Sequence, residues 1–180
     1  MSNLRHLCLL LLVPLTAFLQ GPTHKITLLD GKVELQVPDQ FHPMSDQEFQ
    51  QRFRHGTSKP SLVLTDSTSE VTLTGVSTSM PATEDDMAAF ALFQYQDLRK
   101  KHPDTEFPPH AHGTLIINGK KIGYLKFMPH AQDQVGFTWD FFALVDGKVL
   151  LLDLTCPISK QKLWDPIADQ IIHSLKINSH

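Results

Sequence analysis

The chemistry-bearing residue type in surplus is histidine, with ten among 180 residues. Two of them stand as His110-Ala111-His112. In an extended segment both imidazoles would point the same way, because side chains alternate along a strand. His102 and His130 lie near enough in sequence to join them, and zinc or copper accepts such ligands. The plainer alternative is a solvated, proline-rich loop whose histidines hold nothing. Four convergent ligands cannot be read from one sequence, so no metal residue is assigned. Nucleophilic catalysis needs a Ser or Cys with a positioned base. The chain has no Gly-x-Ser-x-Gly elbow, and nothing in sequence pairs Cys156 with a histidine. Phosphate-cradling glycine loops are missing too, since the nine glycines are spread mainly over turns. The acids Glu84-Asp85-Asp86 suit the first turn of a helix, where the dipole favours negative charge, and a capped helix start accounts for them. No catalytic, cofactor-binding or metal residue is therefore expected, no cofactor is implied, and the chain reads as no enzyme.

The elements that would position any site are clearer. Residues 113–175 read as four consecutive strands and a closing helix. Asn118-Gly119 separates apolar runs at 115–117 and 122–128, and Asp146-Gly147 separates 137–145 from 149–155. Both dipeptides favour the type I′ hairpin, which needs positive φ at its two central residues. Phe137, Trp139, Phe141, Ala143 and Val145 repeat at every second position and share a face. Thr138, Asp140, Phe142 and Leu144 take the other. Residues 149–154 barely alternate, as in a central strand covered on both sides. Asp165-Pro166 looks like an N-cap followed by proline at the first helical position, with Ile167, Ala168, Ile171 and Leu175 forming the apolar stripe.

Upstream, Asp30-Gly31 marks another hairpin, and Phe41 is placed to pin the loop between Pro38 and Pro43. Ser45-x-x-Glu48 fits a capping box on a short helix with Phe49 and Phe53, ending by Gly56. Residues 61–66 and 71–78 read as strands, with Gly75 as a candidate bulge. Thr83 opens a long helix whose stripe is Met87, Phe90, Ala91 and Leu98, with Tyr95 beside it. Pro103, Pro108 and Pro109 make most of 102–112 a loop. Strands and helices do not strictly alternate. The expected fold class is α+β, a mostly antiparallel sheet with helices packed on it.

The first segment reads differently. Arg5 and His6 precede an uncharged apolar run at 7–13, then Pro14 and a neutral stretch to Gly21. That is the order of a secretory signal peptide, and the run is shorter than the roughly 20 residues a bilayer takes. A buried N-terminal helix is the alternative. Ala17, Gln20 or Gly21 could each be the last residue removed. We divide the chain into a signal peptide at 1–20 and a single domain at 24–178, and expect a periplasmic or secreted protein. Cleavage near Gln20 removes Arg5 and leaves 15 basic against 19 acidic side chains. That balance argues against nucleic acid as a partner. Only Cys156 would remain, so the domain can form no internal disulfide. Cys156 reads as a buried thiol, with a reactive thiol or an intermolecular bridge as alternatives.

The element order resembles the PsbP-like fold, an α-β-α sandwich that DcrB-like envelope proteins and Ran-binding Mog proteins share. The nearer echo is DcrB-like. It rests on Val37-Pro38-Asp39-Gln40-Phe41, on the acidic-headed helix from Thr83, and on Trp164-Asp165-Pro166-Ile167 through Ile171-Ile172-His173-Ser174-Leu175. It covers 25–177, and its motifs are structural. The resemblance implies an exported, non-catalytic binding or accessory protein of the bacterial cell envelope, acting through protein–protein contact. Immunity to a secreted toxin is one specific form. The alternative is a small-ligand or metal carrier using the histidine loop or an apolar cleft under the long helix.

Overall fold

The computed structural model describes residues 21–53, 60–131 and 134–178, with only the backbone described at 130, 131, 134 and 135. Residues 1–20, expected to be a signal peptide, and Gly56 lie outside the described residues. The organising stretch folds as a meander. β6 (His112–Ile117), β7 (Lys120–Phe127), β9 (Gln134–Val145) and β10 (Lys148–Pro157) each pair antiparallel with the next. Positive φ at Asn118 and Gly119, and again at Asp146 and Gly147, closes the two hairpins, as expected of these dipeptides. A two-residue strand, β8 (His130–Ala131), which the sequence reading lacks, folds back on the start of β9.

β10 is central, as its unbroken apolar run predicts. Its other neighbour is β5 (Thr72–Pro81), followed by β4 (Leu62–Thr65) and the two-residue β3 (His42–Pro43). The order across this sheet is β3-β4-β5-β10-β9-β7-β6, with β8 attached to β9. The first hairpin, β1 (Thr23–Leu28) and β2 (Val33–Pro38), makes a second small antiparallel sheet with β11 (Lys176–Ile177). The fold class is α+β, as expected.

Alternation along β9 and β10 sends two apolar sets to opposite faces. One face carries Phe137, Trp139, Phe141, Leu150, Leu152 and Leu154. It forms the main core with the small sheet and with α3 (Gln161–His173). Phe41 pins its loop there by an edge-on contact with Trp164, ring centroids 5.3 Å apart. The other face is covered by α2 (Met87–Lys101), which buries Met87 and Ala91 against Leu125, Phe142 and Val149. Gly123 permits that approach: a Cβ there would stand 2.8 Å from the Met87 carbonyl oxygen. Beside α2 on the same face lies α1 (Asp46–Arg52), with the expected Ser45–Glu48 capping box and Phe49 buried against Val63 and Met44.

Three details differ from the sequence reading, and two extend it. Asp165 is no N-cap. A 3₁₀ turn (Ile158–Lys160) leads into α3 at Gln161, and Pro166 lies inside the helix. Asp165 instead accepts hydrogen bonds from the Trp139 indole N–H at 2.8 Å and from Lys126 Nζ at 3.2 Å, and so ties the helix to the sheet. Gly75 makes no bulge. It pairs in register with Leu62 and Leu152, and the shift between β5 and β10 falls between Lys148 and Leu150. A side chain at 75 would press Leu62 Cβ at 3.1 Å, so close packing explains the glycine. The Asp30-Gly31 connection is not a two-residue turn, because Leu29, Asp30 and Gly31 all have positive φ between β1 and β2. α1 ends at Arg52 with Phe53 as its cap, before Gly56. The acids at 84–86 do more than start a helix. Asp86 accepts from Thr83, while Glu84 and Asp85 pair with Lys120 and Lys121 of β7.

Candidate functional site

The sheet face beneath α1 and α2 is apolar under α2 and polar where it runs toward α1. The polar part comes from three strands in register. β5 supplies Thr72 and Thr74, β10 supplies Asp153 and Thr155, and β9 supplies Thr138 and Asp140. Asp140 and Asp153 are directly opposite across the β9–β10 ladder, so their side chains rise from the same face next to each other.

The two carboxyls hydrogen-bond to one another. Burial pushes Asp140 well above the ordinary carboxylate range, and the Asp153 charge and the shared hydrogen bond push it further. Asp153 is raised by the same burial, and its hydrogen bonds to Asp140 and Thr155 work against that. Two close, partly buried carboxyls hold one proton between them, since both cannot ionise without repulsion. The Thr155 hydroxyl donates to Asp153 Oδ1 at 3.1 Å, and Thr138 Oγ1 lies 3.1 Å from Thr155 Oγ1. The result is a short polar chain that ends in a shared proton.

Asp153 opens into a cavity of about 340 Å³ under α1. Its walls are Phe49, Phe53, Pro60 and Leu151, and its floor is Thr72, Thr74, Asp153 and Thr155. The two phenylalanine rings stack at 4.7 Å. Arg52 stands at the edge, its guanidinium donating to the carbonyls of Ser69 and of Glu70, the latter at 3.0 Å. Beyond Arg52 lies a broader hollow of about 740 Å³ that includes Met44, Glu48, Ser69 and Cys156. Burial pushes the Cys156 thiol up to about 12, with Lys160 pulling down and Asp165 pushing up. It stays a thiol at neutral pH and is a poor nucleophile.

A different buried acid lies at the end of β4. Asp66 Oδ1 accepts from the backbone N–H of Glu70 at 2.9 Å and of Val71 at 3.0 Å, and Oδ2 accepts from the Thr68 hydroxyl at 2.6 Å. Burial pushes its carboxyl up, but Thr68, Val71, Glu70 and the Lys160 charge together hold it below its ordinary value. This acid closes a turn and offers no face to a ligand.

The histidines do not converge. His102 closes α2, its N–H donating to the Leu98 carbonyl at 2.8 Å. His110 has φ 55, which breaks the extended geometry that would align it with His112. His112 instead lies on Tyr95, ring centroids 4.6 Å apart. The side chain of His130 lies outside the described residues. Among the described residues no three His, Cys, Asp or Glu side chains come together as a metal ion would require.

The aspartate pair was within reach of the sequence. A two-residue turn at Asp146-Gly147 pairs Val145 with Lys148 and, counting back along both strands, Asp140 with Asp153. The alternation marks the face, and the turn supplies the register. What sequence could not supply is the cavity, which depends on where α1 lands.

No protein-family model matches the chain, and no curated protein sequence matches it. Solved structures do. CyanoP, the PsbP protein of the cyanobacterium Synechocystis, superposes with a TM-score of 0.65 at 12% identity, over 87% of this chain and 92% of its own. LpqN of Mycobacterium tuberculosis, involved in cell envelope biogenesis, gives 0.58 at 12% identity, over 88% and 91%. The Pseudomonas aeruginosa protein PA94, of unknown function, gives 0.51 at 13% identity, over 89% and 100%. The fold is PsbP-like, as the element order implied.

Proposed function

We propose that this chain is an exported, non-catalytic accessory protein of the bacterial cell envelope that works by binding another protein along the free edge of β6. The support from likeness is the fold it shares with LpqN, described as involved in cell envelope biogenesis. In keeping with a water-exposed role, no helix among the described residues is long and apolar enough to cross a membrane.

The edge of β6 carries the reading. β6 ends the large sheet and pairs only with β7 among the described residues, so one row of its backbone groups is open to an added strand. Ile116 on this strand is 68% exposed. It shares a face with His112, which meets Tyr95 of α2. Leu92, also exposed, stands one turn before Tyr95, so it lies on the β6 side of the helix. An extended partner segment laid along β6 would find backbone hydrogen bonds and two apolar contacts.

The test is affinity capture of the tagged chain from its own envelope, beside the Ile116→Lys variant. A stoichiometric partner that the wild type retains and the variant loses at least tenfold supports the reading, and a toxin as that partner would make the chain an immunity protein. Equal recovery by both forms would exclude the β6 edge, and no partner in repeated captures would sink the reading as a whole.

A further inference from the structure

The cavity under α1 lies toward the opposite end of the sheet from β6, and its chemistry is of another kind. We propose that it binds a small organic ammonium ion, an aryl- or alkylamine whose cationic head rests on Asp153 and whose body lies between the phenylalanine rings and Leu151.

Three features of the cavity select that ligand. The first is charge. Asp153 lines the floor with Asp140 behind it, and neither carboxyl has a cationic partner among the described residues. Among the described residues the one cationic side chain in the lining, Arg52, is committed to the Ser69 and Glu70 carbonyls. The second is a hydroxyl without a partner. Thr72 is 3% exposed, and its side chain shares the face of Thr155 and contributes to the cavity floor, yet it makes no side-chain hydrogen bond to the described residues. No side-chain polar atom among the described residues is both fully buried and unpartnered, so this hydroxyl opens to the cavity and is free to accept from a ligand there. The third is the wall. Phe49, Phe53, Pro60 and Leu151 suit a hydrocarbon body, and aromatic faces attract an ammonium directly.

A bare divalent cation suits the cavity less well. Calcium takes about six to eight oxygen ligands, whereas this floor offers one carboxylate and three hydroxyls, and the remaining space is apolar.

Binding the ammonium supplies the missing counter-charge. Both carboxyls then ionise, and their shared proton leaves to solvent. The groups facing the pair leave little else to titrate. α1 contributes Arg52, and β7 contributes Leu125 and Phe127. β5 contributes threonines. α2 turns Met87, Phe90, Ala91 and Tyr95 toward the sheet, with the Tyr95 hydroxyl accepting from Arg99. The affinity for an amine therefore rises with pH for as long as the free pair keeps its proton.

The experiment is a calorimetric titration of the full chain with phenethylamine, with phenethyl alcohol as its uncharged analogue, and with calcium chloride. The amine should bind at least tenfold tighter than the alcohol. Its affinity should increase by up to about tenfold per pH unit while the pair is protonated, with release of one proton that buffers of different ionisation enthalpy reveal. In the Asp153→Asn variant, folded by circular dichroism, amine and alcohol should bind alike. Equal binding of the two by the wild type overturns the proposal without any variant. So does the lack of saturation up to about 10 mM amine, or tighter binding of calcium than of amine. A partner lost or found at β6 bears on none of these results.

Discussion

Two buried acid sites stand on strands of one sheet, and they resolve burial in opposite ways. Asp66 receives two backbone N–H groups and a hydroxyl, and its carboxyl is held below its ordinary value although it is only 3% exposed. Asp140 and Asp153 receive one hydroxyl between them and otherwise only each other, and burial drives both upward. The difference teaches that the donors arranged around a carboxyl can outweigh its burial, and that without them burial sets its charge. A turn that folds round its acid leaves nothing to spare. A pair of acids facing each other across a ladder leaves a proton, and a demand for positive charge, beside a cavity.

The comparison can be broken most forcefully at Asp66. Asp66→Ala should cost about 2–4 kcal/mol in urea unfolding, because it leaves two backbone N–H groups without their acceptor in a buried turn. A loss well under that range would mean that the turn finds other acceptors, and the contrast with the pair would weaken. Asp165 is a useful intermediate case. It is half-buried and binds the buried Trp139 indole N–H and Lys126. Asp165→Ala should cost about 1–2 kcal/mol by the same measurement, mainly from the orphaned indole.

At the pair the sign reverses. Asp153→Asn should stabilise the chain at neutral pH, by about 1 kcal/mol or more, because it removes the cost of keeping a carboxyl protonated at that pH and keeps a donor for Asp140. The pH dependence separates the sites further. A carboxyl raised by folding contributes stability that is complete below its unfolded value and is lost as pH rises through the raised folded value. For the pair, stability thus falls upward from about pH 4. Asp66 is lowered by folding, so its contribution is present above about pH 4 and is lost as pH falls below it. A series of thermal midpoints across pH should therefore show Asp153→Asn converging on the wild type toward pH 4 and exceeding it above. Asp66→Ala should instead approach the wild type only in acid. Parallel curves for the two variants would remove the distinction. The smallest effect belongs to the exposed rim of the Asp66 turn. Glu70→Gln breaks the solvent-facing pair with Lys160 and should leave the unfolding midpoint within measurement error, as surface ion pairs generally do.

Much of the fold was legible in residue order. Asn118-Gly119 and Asp146-Gly147 turn where their conformational freedom says they should, and the spacing of Met87, Phe90 and Ala91 marks the buried side of α2. The capping box at Ser45 and the buried run of β10 were equally plain. The errors share a cause. Asp165-Pro166 has the composition of a helix start, but α3 begins four residues earlier, and Asp165 finds its donors on β7 and β9. Gly75 has the mark of a bulge, but the crowding of Leu62 explains it. In both places a local signal yielded to a contact with a distant strand. His110 and His112 show the same limit, because the alignment expected of an extended segment is lost at one left-handed residue.

The sequence by itself determined which residues turn, which alternate and which cap. Those properties follow from the φ preferences and side-chain periodicity of a few adjacent residues, and need nothing else in the chain. It even implied, through one hairpin turn, that two aspartates must face each other. Only the tertiary structure decided that they meet partly buried beside an aromatic-walled cavity, while Asp66 is wrapped in donors. Burial and hydrogen bonding depend on where α1, α2 and the neighbouring strands come to rest. That is settled by packing over the whole domain, and the pattern within any one segment does not contain it.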